Sequence, residues 1–315
     1  MLNVANISFS YNEKPILKNL SFNVQQGEHI AVVGESGCGK STLLKCLYGL
    51  FDLDAGEMFY NETQILGPAY HLVPGMDFMK YLAQDFDLMP FITVAENIGK
   101  YLSNFYKEEK QQRIKELLDM VEMTPYANVK AKLLSGGQMQ RVALARAIAR
   151  EPKVLLLDEP FSHIDSFQKN RLRRNLFQHL KQANITCIVA THDKEESLPF
   201  ADKILVMKAG EALSFSTPKE VYNNPKNTYT AALFGDINVL NGKDFGKTEK
   251  EIICYPHQLH IVPENGTPAM VKECYYRGAD YLVIAELQNG QRVFVESKEP
   301  YTTDANIALN LLTKQ

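Results

Sequence analysis

The chain lacks most of the features that would place it in a membrane, in a secreted scaffold or on nucleic acid. No apolar stretch among its 315 residues approaches the roughly 18 that a membrane span needs. Residues 1–6 also lack the charged start and apolar core of a secretory signal, so the expectation is a soluble protein of the cytoplasm. Its five cysteines, Cys38, Cys46, Cys187, Cys254 and Cys274, are odd in number and show no C-x-x-C spacing, which argues for a reduced compartment and against a disulfide framework or zinc site. There is no excess of basic charge either. Lys and Arg number 34 against 37 Asp and Glu, a net charge of −3, so charge points to neither nucleic acid nor an acidic membrane. Apolar composition of 45% is sufficient for a full core, and the length fits one large or two ordinary domains.

What is present is organised around residues 34–42: Gly34, Glu35, Ser36, Gly37, Cys38, Gly39, Lys40, Ser41 and Thr42. The apolar run 30–33 precedes them and the helix-like run 43–47 follows, which reads as strand, glycine loop, helix. Three glycines let the backbone turn tightly enough for successive N–H groups to point at anionic oxygens, and the positive end of the helix adds to the field. Lys40 can reach terminal phosphates and the Ser41 hydroxyl can take Mg²⁺, completing G-x-x-x-x-G-K-[ST] in its strand-to-helix context.

Residues 2–8 and 20–24 alternate as short strands around a turn at Tyr11, Asn12, Glu13, Lys14 and Pro15, giving an antiparallel sheet beside the loop, with residues 58–60 as a further strand. Tyr11 sits at the tip, where its ring could stack on a purine or cap the core. Residues 61–83 read as irregular, broken by Gly67, Pro68, Pro74 and Gly75. Thr93 to Glu96 form a capping box, and residues 107–121 place Ile114, Leu117, Leu118 and Val121 on one helical face. The segment 91–133 is therefore expected to be a mostly helical insertion in an alternating α/β pattern.

Three apolar runs, 30–33, 154–157 and 185–190, read as buried parallel strands, and each ends in chemistry. The phosphate loop follows the first, Asp158 and Glu159 the second, and Thr191, His192 and Asp193 the third. Ligands in an open α/β sheet bind outside the carboxyl ends of the strands, so these groups should converge. Asp158 would hold Mg²⁺ through water, Glu159 would polarise the attacking water, and His192 would contact the γ-phosphate. Taken singly, each has a bland reading as a strand-end pair or a surface histidine. A second helix start, at Leu134, Ser135, Gly136, Gly137 and Gln138, reads as a capping box. Two adjacent glycines there also suit close approach of an anion to bare backbone.

These residues together resemble an ATP-binding-cassette (ABC) ATPase, an α/β P-loop NTPase with an antiparallel β subdomain and a helical insertion. Residues 34–41 match the Walker A motif, Gln84 the Q-loop, 134–138 the LSGGQ signature, 154–159 Walker B, 162–165 the D-loop, and His192 the switch histidine. The resemblance covers residues 1–235, with the helical subdomain at about 86–135. It implies ATP and Mg²⁺ as cofactors, with Ser41, Gln84 and Asp158 at the metal and Glu159, His192 and Gln84 as the catalytic group. It also implies Tyr11 on the adenine and a head-to-tail homodimer in which Ser135, Gly136, Gly137 and Gln138 meet the partner's ATP. The chain departs from the pattern in its D-loop, where His163 and Ile164 replace the usual Ala-Leu pair, and before Gln84, where the usual arginine-containing run is absent.

Residues 203–207 and 211–215 read as a hairpin, Thr217 to Glu220 start a short helix, and Gly235-Asp236 marks a boundary. Beyond it, 252–255, 259–262, 270–276, 281–287 and 292–296 read as five short strands, a small all-β, OB-like domain at 236–315. Residues 255–258 and 276–279 are similar to TOBE, the extension of importer ATPases for iron(III), polyamines, sugars and oxyanions. The extension implies a regulatory or dimerisation role. His257 and His260, on an expected turn and strand start, read as structural rather than as a metal pair.

The resemblance therefore implies an importer ATPase at the inner face of the cell membrane, held there by a separate permease and served by a substrate-binding protein, with no nucleic acid involved. The alternative is a non-transport ABC ATPase acting on nucleic acid or the ribosome; those carry a long coiled coil or a second cassette. The apolar segment at Phe86, Leu88, Met89, Pro90 and Phe91 is expected either to receive a permease helix or to form the small core of the insertion.

Overall fold

The computed structural model describes residues 1–311. The chain divides into two compact units, Met1–Lys219 and Glu220–Gln315. The first begins with two long antiparallel strands, β1 (Leu2–Tyr11) and β2 (Lys14–Val24). Leu2, Val4, Ile7 and Phe9 from one strand and Leu17, Leu20, Phe22 and Val24 from the other are buried, an alternation of side-chain faces that register shifts between Val4 and Ile7 and between Ile7 and Phe9 move by one residue. Next come β3 (His29–Val33), α1 (Lys40–Leu47), β4 (Ala55–Tyr60), β5 (Thr63–Gln64) and β6 (Met79–Leu82). The helical insertion holds α2 (Val94–Gly99) and α3 (Lys107–Met120), and leads into α4 (Gly136–Ile148). The unit closes with β7 (Val154–Asp158), α5 (Ser166–Gln182), β8 (Thr186–Ala190), α6 (Lys194–Phe200), β9 (Lys203–Lys208) and β10 (Glu211–Ser216).

Strands β2, β1, β4 and β5 form one sheet, and the central sheet runs β10-β9-β3-β8-β7-β6. In the latter β3, β6, β7, β8 and β9 pair in parallel, and β10 closes the edge as the second arm of a hairpin. Every residue of β3, β7 and β8 is buried, because this sheet is covered on both faces. Alternate residues of β7 serve opposite cores. Val154 and Leu156 join the core that contains β1, β2 and α1, whereas Leu155 and Leu157 join the core of α2, α3, α4 and α5.

Residues 61–83 are not wholly irregular, since β6 pairs in register with β7, Tyr81 opposite Leu156 and Leu82 opposite Leu157. As an edge strand with only Met79 and Leu82 buried, it carries Lys80 and Tyr81 between them and so hides its apolar pattern.

The second unit contains α7 (Pro218–Asn223), whose first two residues belong to the first unit, and α8 (Thr228–Ala232), β11 (Asn238–Asn241) and β12 (Glu251–Cys254). These are followed by β13 (Leu259–Val262), β14 (Thr267–Tyr276), β15 (Tyr281–Leu287), β16 (Arg292–Ser297) and β17 (Asn306–Leu311). The main sheet runs β13-β17-β14-β15-β16, all antiparallel, and β11 pairs with β12. Strands β11 and β17 are additions to the five expected, and β12 lies outside the main sheet. Residues 220–235 cluster with this unit rather than with the ATPase-like part. Tyr222 stacks on Tyr255 at 4.3 Å, and the Tyr255 hydroxyl donates to the Ala231 carbonyl at 3.2 Å.

Candidate nucleotide site

The turn from β3 into α1 is a phosphate-type loop in geometry as well as in sequence. Gly37 (φ 80°) and Gly39 (φ 109°) occupy backbone conformations that L side chains rarely adopt. Gly34 is required for a different reason, since a Cβ there would run into the Met207 carbonyl oxygen. Glu35, Ser36 and Gly37 face solvent, whereas Gly34, Cys38, Gly39 and Lys40 are buried, and Ser41 and Thr42 are half-buried in the first turn of α1. The Lys40 ammonium is enclosed by the loop, donating to the carbonyls of Gly34 at 2.8 Å and Glu35 at 2.9 Å. Burial raises the Cys38 thiol above its ordinary pKa, so it is a packing group rather than a thiolate nucleophile.

The carboxyl ends of β3, β7 and β8 converge as expected. The Ser41 hydroxyl donates to Asp158 Oδ1 at 2.9 Å, and the Tyr81 hydroxyl donates to Asp158 Oδ2 at 3.2 Å. Burial raises the Asp158 carboxyl above the usual carboxylate range, and the two hydroxyl hydrogen bonds oppose that shift. Glu159 follows in a left-handed conformation, φ 48°, and its Oε1 lies 3.2 Å from His192 Nδ1. Gln84, exposed, follows β6 and so emerges beside the strand that ends at Asp158. A hydroxyl and a carboxylate side by side are hard oxygen donors suited to Mg²⁺, which is bound by one or two carboxylates plus phosphate rather than by an all-protein cage. Among the described residues no cluster of three or more His, Cys, Asp or Glu forms such a cage.

Ser135 caps α4 reciprocally with Gln138: each backbone N–H donates to the other's side chain, at 2.9 and 3.3 Å. The two glycines between them differ. A Cβ on Gly137 would sit 2.7 Å from the His163 carbonyl oxygen, whereas one on Gly136 would meet nothing nearer than 4.0 Å. Gly137 is thus fixed by packing against the D-loop, and Gly136 by nothing in the chain itself. Tyr11 is 39% exposed and held edge-on against Phe9 and Phe51, at 4.8 and 5.4 Å, which leaves part of its ring open.

Several residues that frame the site carried no sequence signal. Gln140, buried, donates to the Glu159 carbonyl at 3.1 Å and accepts from the His163 N–H at 3.0 Å, joining α4 to both the turn after β7 and residues 162–165. Arg173, buried on α5, pairs with Asp193, next to His192, and with Glu196 at 2.7 Å. Arg146 donates to the carbonyls of Phe86 at 3.0 Å and Asp87 at 2.6 Å, and Asn97 brackets Met89 with bonds of 2.8 and 3.0 Å. These two side chains fasten the segment after Gln84 to the helical insertion. Phe86 and Leu88 pack against that insertion's core, while Phe91 is 70% exposed. The apolar run is therefore split between core and surface.

Comparison with known proteins agrees with this arrangement. The ABC transporter family model matches residues 17–162, and the TOBE domain model matches residues 255–309. A Fe(3+) ions import ATP-binding protein of Rhodococcus jostii is 37% identical over 305 residues, 90% of this chain and 86% of the relative. The chain belongs to the ABC transporter family. A sulfate/thiosulfate import ATP-binding protein of Pseudomonas syringae pv. tomato is 34% identical over 98% of this ABC ATPase and 94% of the relative. A spermidine/putrescine import ATP-binding protein of Clostridium novyi is 37% identical over 77% of this chain and 69% of the relative. Among solved structures, a dimeric ATP-binding cassette in a post-hydrolysis state, bound to ADP and Pi, superposes with a TM-score of 0.61 and 30% identity. The match covers 69% of this chain and 99% of that one.

Proposed function

We propose that this ABC ATPase is the ATP-hydrolysing subunit of an importer. It acts as a head-to-tail homodimer beneath a separate membrane permease that a substrate-binding protein supplies. The observation that carries the reading is the presence of two half-sites in one chain: a complete phosphate loop with Ser41, Asp158, Glu159 and His192 gathered beside it, and a separate capped helix start at Ser135 whose Gly136 is not crowded by the chain, the His163 Cβ lying 4.0 Å from where its Cβ would be. Relatives named for Fe(3+), spermidine/putrescine and sulfate/thiosulfate support a small charged solute. The alternative of an ATPase acting on nucleic acid or the ribosome has no basic surplus to support it.

The residues divide the work as follows. The loop N–H groups and the Lys40 ammonium bind the phosphates, and Tyr11 stacks its partly exposed ring on the base. Ser41, Asp158 and Gln84 would hold Mg²⁺, which would supply charge neutralisation at the phosphate oxygens. Glu159 orients and accepts a proton from the attacking water, and His192, bonded to Glu159, faces the γ-phosphate. Ser135 and the bare backbone of Gly136 and Gly137 complete the partner's site, with Gln138 holding the cap. Ser135→Arg should abolish turnover while the nucleotide affinity of the isolated chain stays unchanged. Loss of binding to the isolated chain would place Ser135 in its own chain's site and overturn the head-to-tail reading.

A further inference from the structure

Asp158 is 4% exposed, and each of its two carboxylate oxygens has a hydroxyl donor, Ser41 on Oδ1 at 2.9 Å and Tyr81 on Oδ2 at 3.2 Å. We propose that Tyr81 is a positioning residue of the nucleotide site, its hydroxyl fixing the rotation of the Asp158 carboxylate so that Oδ1 faces Ser41. A carboxylate turns broadly about its last torsion unless both oxygens are held. Tyr81 is well placed to hold one: β6 is paired with β7, and the ring packs against Tyr48, just past the end of α1, with centroids 5.7 Å apart. A phenol is protonated at neutral pH and both oxygens of a carboxylate only accept, so Tyr81 is the donor in this pair. When Ser41 turns its oxygen to a metal ion, Tyr81 is the donor left on the carboxylate. Gln84 lies two residues beyond the end of that strand.

This role rests on the reading of Ser41 and Asp158 as the Mg²⁺ pair, and the test separates the two. Binding of Mn²⁺, a spectroscopically visible substitute, is measured by electron paramagnetic resonance on the full chain with ADP, for wild type, Asp158→Asn and Tyr81→Phe. ADP affinity is measured separately without metal. Tyr81→Phe keeps the ring and its packing and removes only the hydroxyl. Wild type should bind Mn²⁺ in the presence of ADP and Asp158→Asn should not. Tyr81→Phe should bind it roughly tenfold more weakly, the scale of one hydrogen bond to a charged group, with metal-free ADP affinity unchanged. Equal Mn²⁺ affinity in Tyr81→Phe and wild type overturns the role of Tyr81 while leaving the metal reading intact. An equal fall in ADP and Mn²⁺ affinity makes the residue merely structural and also overturns it. Absence of ADP-dependent Mn²⁺ binding in wild type overturns the reading itself, and the role of Tyr81 with it.

Discussion

His29 opens the strand that feeds the phosphate loop, and it is 2% exposed beside Phe177. Burial, with Lys181 second, lowers its pKa from 6.5 to about 4. The unfolded chain therefore binds more protons than the folded one across that window. The stability conferred by the neutral ring is present in full above pH 6.5 and is lost as the pH falls toward 4. Between pH 7 and 5 this one group should account for roughly 2 kcal/mol. Urea melts at the two pH values should show a smaller difference for His29→Phe than for wild type; equal differences would contradict the assignment. Gly137 is a second residue whose identity the structure explains. Gly137→Ala should cost about 1–3 kcal/mol by pushing on the His163 carbonyl, and Gly136→Ala, whose Cβ would make only an ordinary contact with the His163 Cβ, should leave the melting temperature unchanged or higher. Equal melting temperatures for the two variants would refute the packing argument.

At the scale of elements, the segment after Gln84 joins core and surface residues in a single apolar run. Arg146 and Asn97 hold its backbone, Phe86 and Leu88 turn inward, and Phe91 stays outside under the Lys132 ammonium, 5.3 Å above its ring. Leu88→Asp should accordingly lower the melting temperature of the free protein, on the order of 2 kcal/mol or more. Phe91→Asp should leave it unchanged and weaken co-purification with the permease instead. The reverse pattern would assign the docking surface to Leu88. The nucleotide loop, the three central strands and both capping boxes were legible because each couples a residue pattern to a backbone need: φ above zero, burial on two faces, orphan N–H groups. Strand β6 was not legible, since half-buried Lys80 and Tyr81 interrupt its apolar pattern at an edge. Strands β11 and β17 are not legible either: β11 is four residues long with only Asn238 and Leu240 buried, and β17 pairs with Leu259–Val262 and Thr267–Tyr276, far from it in sequence. Gln140, Arg146 and Arg173 act through side-chain bonds to loops that only the folded chain brings near, and no spacing rule marks them.

For the whole molecule, each unit has a core of its own. The C-terminal one is built from residues such as Leu240, Leu259, Val271, Val283, Val295 and Leu309, and carries no part of the catalytic group. The chemistry is thus concentrated in Met1–Lys219, and the central claim is that this unit hydrolyses ATP only as a pair. In Glu159→Gln the water loses its polarising carboxylate while Lys40, Ser41, Asp158 and the signature helix are untouched, so hydrolysis should fall by a factor of about 10²–10⁴ with ATP still bound. Sedimentation of that variant with Mg²⁺ and ATP is the most direct measurement. A stable dimer should form with ATP and dissociate when ATP is replaced by ADP. A persistent monomer that turns over ATP at the wild-type rate would contradict it.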